Sequence, residues 1–160
     1  MRYQLNEKIL SITNSFKIKD EAGNLAYQVV GKFFAIGQNL SFESADGTQL
    51  AQIKQRMLTI FPKYELYLGD KHFATITKEF TFFKDKFTLD VPGPNDYVIK
   101  GSFLDYEYQF HRSGKVVAEV SRKFWSITDS YGVDIIEGED NVSILATVVV
   151  VDLCCRHTEK

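Results

Sequence analysis

Apolar and polar residues alternate in four similar segments of the chain. The segments are FKIKDEAGNLAYQV from Phe16, LSFESADGTQLAQI from Leu40, YELYLGDKHFATI from Tyr64 and YQFHRSGKVVAEV from Tyr108. Each begins with alternation of period two, which is typical of a half-buried strand. A glycine then supplies the positive φ that hairpin turns need, and a second strand follows. These glycines are Gly23, Gly47, Gly69 and Gly114. Each segment therefore predicts a β-hairpin.

The hairpins recur at a regular interval. The starts at Phe16, Leu40 and Tyr64 are 24 residues apart, and the interval roughly doubles before Tyr108. A degenerate unit with a longer loop, over residues 87–101, fills the gap. Outer segments at 3–13 and 127–136 bring the prediction to about twelve strands within residues 3–137. Because open sheets of this size tend to curl or close, a barrel is favoured.

An alanine recurs at the start of the second strand of each hairpin. The alanines are Ala26, Ala51, Ala74 and Ala118. Small side chains here would let a helix lie close to the sheet. Alternatively, they only fit a crowded strand start, and the sequence leaves both interpretations open.

A long apolar run closes the chain. It extends from Val142 to Cys155 and is interrupted only by Ser143, Thr147 and Asp152. Acids precede the run and bases follow it, as a helix dipole favours, and Asp140 or Asn141 can serve as N-cap. We predict a helix over about 141–156 that must be enclosed, since it is apolar nearly all round. Four consecutive valines, 148–151, favour the alternative of a buried strand.

The predicted fold is a mainly β, closed antiparallel barrel of about twelve strands around a central hydrophobic C-terminal helix. The chain of 160 residues is predicted to form a single domain, 1–160. The N-terminus shows no pattern of a signal peptide, and the apolar run is too short to span a bilayer. We therefore expect a cytoplasmic protein that is not transmembrane, with peripheral contact to a membrane left open.

Composition argues against several classes of function. The net charge is −2, so nucleic acid is not expected as a partner. No phosphate-binding glycine loop or nucleophile elbow occurs. Pairs of acids such as Asp129 and Asp134 are expected to cap turns. We expect no catalytic residues, no cofactor and no enzymatic activity.

The cysteines and histidines do not favour a metal site. Cys154 and Cys155 are adjacent, so a disulfide between them would be strained and two buried reduced thiols are expected. His157 follows closely, but three ligands at a helix end do not complete a metal site. His72 and His111 are expected to be exposed to solvent. No metal is predicted.

Asp152 is the single charge inside the apolar run, and Arg156 follows one helical turn later. We expect an ion pair where the helix leaves the barrel. A polar group lining a cavity is the alternative.

Basic residues end the second strand of several hairpins, and they form the candidate binding site. They are Lys32, Lys54, Arg56, Lys78, Arg122 and Lys123. In a barrel, equivalent strand ends gather at one rim, where cations would suit phosphate headgroups. We select Lys54, Arg56, Arg122 and Lys123 as candidates for binding an anionic headgroup. The alternative is ordinary solvated charge that guards against edge pairing, because acids are interleaved.

The hairpins, the segment DSYGVDI at 129–135 and the apolar C-terminal run together resemble the LURP-one-related family. That family shares the tubby C-terminal fold and is distantly similar to phospholipid scramblases. The resemblance implies a twelve-stranded barrel threaded by a hydrophobic C-terminal helix. Most members have no established biochemical activity, and plant members are associated with defence. Tubby relatives bind phosphoinositides through paired basic side chains, which Lys54 and Arg56 resemble in type.

Three functions remain in competition at this point. The first is a non-enzymatic binding or scaffold module that contacts anionic phospholipid or phosphoinositide headgroups. The second is a carrier of a small apolar ligand inside the barrel, which needs a free cavity. The third is an enzyme of unrecognised type, which needs a pocket with convergent titratable groups.

Overall fold

The computed structural model describes residues 1–6, 15–34, 37–80, 84–124 and 129–156, apart from the side chains of 32–34 and 156. Its β-strands are β1 (Arg2–Asn6), β2 (Ser15–Lys19), β3 (Leu25–Phe34), β4 (Gly37–Ser44), β5 (Gln49–Arg56), β6 (Lys63–Leu68), β7 (Lys71–Glu79), β8 (Lys86–Asp90), β9 (Tyr97–Ser102), β10 (Glu107–Arg112), β11 (Lys115–Ser121) and β12 (Ser130–Ile135). A short 3₁₀ helix (Arg122–Phe124) and the helix α1 (Asn141–Arg156) complete these elements.

The twelve strands form a closed antiparallel barrel, which confirms the predicted fold class. Each strand pairs with its neighbours in the chain, and β1 closes the barrel by pairing with β12, for example Tyr3 opposite Val133. The predicted hairpins are β2–β3, β4–β5, β6–β7 and β10–β11, and the degenerate unit is β8–β9. Along most strands alternate side chains are buried, as the period-two pattern requires.

Helix α1 occupies the barrel interior, so the predicted central helix is confirmed. The valines 148–151 are each at most 1% exposed, and their strand preference is overridden by enclosure within the barrel. Asp140 is the N-cap: its Oδ1 accepts hydrogen bonds from the amides of Val142 at 3.1 Å and Ser143 at 3.4 Å. The other N-cap candidate, Asn141, instead donates from its side chain to the Tyr3 hydroxyl.

Small residues lie where the helix approaches the wall most closely. Among the described strands, α1 lies nearest to β5 and β7. Ala51 on β5 and Ala74 on β7 point inward and are almost completely buried. At these two positions the structure favours the interpretation that alanine admits the helix, because a larger side chain would occupy its space.

The barrel has two distinct rims, defined by the ends of α1. At the upper rim, Asp140 and Val142 at the start of α1 lie beside Leu50 of β5 and Leu68 of β6. At the lower rim, Asp152 near the end of α1 contacts Tyr131 at the start of β12. Antiparallel order therefore places the ends of the odd-numbered strands from β3 to β11 at the lower rim. No helix in the described part of the chain is both long and apolar enough to cross a membrane.

Candidate functional site

Lys54 and Arg56 lie on the outer face of the barrel, at the lower-rim end of β5. Both are exposed and lie two positions apart on β5, so they point to the same side of the sheet. The register places Lys54 opposite Glu65 and Arg56 opposite Lys63 on β6. Three bases and one acid thus share this patch. The Lys54 Nζ also lies 4.8 Å from the centroid of the Tyr67 ring, which holds the ammonium group against the wall.

The acid in this patch neutralises Arg56 only weakly. Glu65 Oε1 lies 3.7 Å from Arg56 Nη1, and the arginine side chain remains 58% exposed. The other carboxylate oxygen of Glu65 accepts a hydrogen bond of 2.8 Å from the Tyr67 hydroxyl. Since exposed ion pairs contribute little to stability, a phosphate group can displace this contact at small cost. The patch can therefore accept an anion without rearranging the barrel.

The closed barrel removes one alternative explanation for these cations. Strand β5 is hydrogen-bonded to β4 on one side and to β6 on the other. It has no free edge for Lys54 and Arg56 to protect, so guarding against edge pairing does not account for them.

Arg122 and Lys123 lie at the same rim but on the opposite side of the barrel. They belong to the 3₁₀ helix that follows β11, six strands around the barrel from β5. With about 4.8 Å between strands and a tilt of about 40°, twelve strands enclose a diameter of roughly 24 Å. The Arg122 guanidinium lies 4.9 Å from the centroid of the Tyr106 ring. The four candidate residues therefore form two separate pairs.

Lys78 faces inward. It follows Ala74 and Ile76 at intervals of two, and its side chain is only 6% exposed. Its Nζ lies 3.7 Å from Asp85 Oδ2 and 5.1 Å from the centroid of the Phe80 ring. Lys78 thus lines the mouth of the barrel, and the two-residue spacing after Ile76 would have indicated this from the sequence. The side chain of Lys32, named in the same prediction, lies outside the described residues.

An exposed apolar loop beside Arg56 was missed in the sequence analysis. The loop, residues 57–61, connects β5 to β6 and carries the sequence MLTIF. Leu58 is 103% exposed and Ile60 is 93% exposed, and Met57, Phe61 and Phe80 beside them are exposed as well, so the apolar side chains form a group rather than a single exposed residue. The available signal was an uncharged apolar stretch between the strand-ending Arg56 and Pro62.

The two rims differ in charge. All turns of the upper rim lie in the described part of the chain and carry the acids Asp20, Glu21, Asp46, Asp70, Asp96, Glu137, Glu139 and Asp140, while the strand ends beside these turns carry the bases Arg2, Lys19, Lys71, Arg112 and Lys115. At the lower rim between β5 and β8, Glu65, Glu79 and Asp85 pair with Arg56, Lys86 and Lys78. Lys54, Lys63 and Lys84 are further bases there. The upper rim thus carries more acids than bases, whereas this part of the lower rim carries more bases than acids.

The polar groups near the end of α1 are arranged for packing. The Tyr131 hydroxyl donates a hydrogen bond of 2.9 Å to the buried Asp152 carboxylate. The Arg156 side chain lies outside the described residues, so its ion pair with Asp152 stays a prediction. Cys154 and Cys155 are half-buried and form no disulfide, and burial, followed by the neighbouring Cys155, raises the pKa of Cys154 to about 12. A thiol with that pKa is protonated and unreactive at neutral pH.

The histidines show no shared site. His72 is exposed, with its Nε2 3.0 Å from Thr75 Oγ1. His111 is half-buried on β10, so the expectation that it is exposed to solvent was wrong. His157 lies outside the described residues. Among the residues described, no group of three or more His, Cys, Asp or Glu side chains could hold a metal ion.

Two surface depressions lie at the upper rim. A crevice of about 220 Å³ between α1 and strands β5–β7 is lined mainly by apolar side chains such as Leu66, Phe73 and Val142. A wider groove of about 640 Å³ lies beside Met1 and is lined by the acids Asp20, Glu21, Glu137 and Glu139. Neither depression includes Lys54, Arg56 or the loop 57–61.

Comparison with known proteins identifies the family. A Bacillus subtilis (strain 168) protein, "Uncharacterized protein YxjI", is 31% identical over 155 residues, covering 97% of this chain and 94% of that relative. The X-ray structure of the Arabidopsis thaliana protein AT5G01750 is similar in fold, with a TM-score of 0.71 at 17% identity over 96% of this chain and 91% of that one. The sequence pattern described as LURP-one-related matches residues 1–152. The chain therefore belongs to the LURP-one-related family.

Proposed function

We propose that this protein is a non-enzymatic binding module that contacts the phosphate of anionic phospholipid headgroups through Lys54 and Arg56. The observation that carries the proposal is that these two side chains share the outer face of β5. On the neighbouring strand β6 they face Lys63 and a single acid, Glu65. Arginine offers a planar, bidentate fork to phosphate, and lysine adds a flexible point charge. The paired bases of tubby relatives, which Lys54 and Arg56 resemble, support the same chemistry.

The competing functions have weaker support. A carrier needs room for its ligand, but α1 fills the barrel axis with side chains such as Leu145 and Val149 that are at most 1% exposed. The crevice of about 220 Å³ beside α1 is smaller than ligand pockets of about 300–1,000 Å³. For an enzyme, the polar groups found near α1 serve as a helix cap, as with Asp140, or as packing contacts, as with the buried Asp152. The binding module is therefore the function that we propose.

The test compares two variants with the same loss of charge. The assay is vesicle flotation, and it compares the native protein with Lys54→Ala/Arg56→Ala and Arg122→Ala/Lys123→Ala. The vesicles consist of phosphatidylcholine alone, or of phosphatidylcholine with added phosphatidylserine or phosphatidylinositol bisphosphate. Each base near an anionic surface contributes about 1 kcal/mol, so the first variant should lose about 30-fold in partitioning. The Arg122/Lys123 variant is the matched control, because that pair lies on the opposite side of the barrel.

The comparison of lipids identifies the ligand. Selective binding to the bisphosphate vesicles indicates a phosphoinositide, whereas equal binding at equal surface charge indicates a general anionic surface. Competition by soluble inositol trisphosphate separates recognition of the headgroup itself from recognition of the surface. The proposal is wrong if native protein floats with none of the vesicles, or if both double variants lose binding equally.

A further inference from the structure

We propose that the loop 57–61 inserts Leu58 and Ile60 into the interface of an anionic bilayer, so that the β5–β6 side of the lower rim faces the membrane. This inference rests on the proposed function, because the bases of the same rim bring the protein to the surface. It adds a second, apolar contact with the membrane and an orientation of the barrel relative to the bilayer. The partner is the boundary between headgroups and acyl chains.

The exposure of the loop is the first observation. Leu58 is 103% exposed and Ile60 is 93% exposed, and they follow Arg56 directly in the chain. Met57, Phe61 and Phe80 are also exposed and neighbour them, and groups of exposed apolar side chains mark sites of interaction with proteins or membranes. Leucine and isoleucine are the side chains that partition into a bilayer most favourably.

The backbone of the loop is the second observation. Leu58 has φ 60°, in the left-handed region that an L-residue without local compensation rarely adopts. Such strain persists only where the surroundings enforce it, and it clusters at functional positions. An asparagine or glycine at 58 would relieve it, yet the chain places its most exposed leucine there.

The residues around Leu58 and Ile60 hold the loop in place. Met57 folds back over Gly37, where an added Cβ would lie 2.8 Å from the Met57 Sδ. At the other end, the Phe61 ring contacts the Phe80 ring with 5.6 Å between centroids. The Thr59 hydroxyl donates a hydrogen bond of 2.7 Å to the Phe61 carbonyl oxygen. The loop is therefore preorganised, and insertion costs little ordering entropy.

Charge favours a lipid bilayer over a protein partner with an apolar pocket. Bases flank the loop on both sides, Arg56 before it and Lys63 after it, and Lys54 lies one step further along β5. Apolar side chains ringed by lysine and arginine match the layered chemistry of an anionic membrane, where phosphates surround the acyl region. The upper rim carries more acids than bases, so an anionic surface favours the β5–β6 side of the lower rim over it.

The experiment separates the contribution of apolar insertion to vesicle binding from that of electrostatic attraction. Leu58→Asn/Ile60→Ser removes both apolar groups while asparagine tolerates the left-handed backbone. The matched control is Val116→Ser/Ile136→Ser, which removes two exposed apolar side chains from the upper rim. Binding to phosphatidylserine or phosphatidylinositol bisphosphate vesicles is measured at low and high salt. We expect at least a tenfold loss for the loop variant, with the remaining binding abolished by salt, and native binding by the control.

A depth measurement adds a direct readout. Tryptophan placed at Leu58 should shift its emission to the blue and be quenched by brominated acyl chains when vesicles are added. Tryptophan placed at Val116 should show neither change. Both substitutions are made together with Trp125→Phe, so that the introduced residue is the only tryptophan observed.

The outcomes distinguish this inference from the proposed function. If Lys54→Ala/Arg56→Ala loses binding while the loop variant binds as native, headgroup contact stands and insertion is wrong. If the native protein binds no anionic vesicle, both are wrong. A third outcome is that the native protein self-associates in sedimentation, that the loop variant is monomeric, and that both bind vesicles equally. In that case the loop is a contact between copies of the chain, and insertion is wrong. Loss of binding together with quenching at position 58 supports insertion.

Discussion

The Tyr131 hydroxyl on β12 donates a hydrogen bond of 2.9 Å to the carboxylate of Asp152 on α1. Both residues are buried, and the bond joins the barrel wall to the helix near the lower rim. Burial raises the pKa of Tyr131 well above its ordinary value, and the charge of Asp152 raises it further. The hydroxyl therefore stays protonated and remains a donor. This contact gives the single carboxylate of an apolar helix a partner in the wall.

Tyr131→Phe should destabilise the fold while leaving its shape unchanged. The substitution removes one donor to a buried carboxylate, which costs about 1–3 kcal/mol in the free energy of unfolding. Urea unfolding followed by circular dichroism measures this loss. Asp152→Asn and the double variant complete a mutant cycle, and a coupling energy near zero would show that the two groups do not depend on each other.

Sequence reasoning reached the barrel and its helix because both follow from local patterns. Period-two alternation, turn glycines and the run ending at Cys155 each constrain a few consecutive residues. The candidate site depends instead on which strands become neighbours around the barrel. Arg122 and Lys123 directly follow a strand and Arg56 ends one, but β11 and β5 lie six strand positions apart, and no local sequence pattern encodes that separation around the barrel. The prediction that Lys78 lies on the surface was wrong for another reason. Its position two residues after the buried Ile76 already indicated that its side chain points inward.

Ala74→Leu should destabilise the protein by overpacking. Ala74 is 1% exposed on β7, one of the strands nearest to α1, so three added carbon atoms must displace the helix or the wall. Overpacking of this kind costs about 1–3 kcal/mol. The control is Ala26→Leu: the register places Ala26 in a bulge of β3, at the position that Leu50 occupies in β5, and the alanine is only half-buried. Thermal unfolding of both variants should show the larger drop for Ala74→Leu, and equal drops would contradict close approach of the helix at β7.

Val149→Asp should prevent folding. Val149 is 1% exposed within the barrel, and an unpaired carboxylate there costs several kcal/mol, which approaches the total stability of a domain. Deletion of residues 141–160 should likewise give an insoluble or molten product, because the barrel loses its filling. Val116→Asp, on the exposed face of β11, is the control and should fold. A soluble truncation that unfolds cooperatively would exclude the helix as an essential part of the core.

The free energy of unfolding should fall at alkaline pH, because the folded protein keeps buried cysteine and tyrosine side chains protonated. Burial, and then the neighbouring Cys155, raises the pKa of Cys154 from 9.0 to about 12. A group whose pKa is higher in the folded state stabilises the fold fully below its unfolded pKa, and this contribution is lost as pH rises above about 9. Burial also raises the pKa of Tyr64 and Tyr108, which adds to the loss at slightly higher pH.

The measurement is the midpoint of urea unfolding as a function of pH. We expect a plateau below about pH 8.5 and a steady decline above pH 9, because the unfolded chain releases protons that the folded chain retains. Cys154→Ala removes the thiol, so the decline should begin about one pH unit higher, where tyrosines of the unfolded chain start to ionise. In the native protein, Cys154 should also react slowly with a thiol reagent at about pH 8 and rapidly once urea is added. Rapid reaction without urea, or a flat profile up to about pH 11, would mean that the end of α1 is open to solvent.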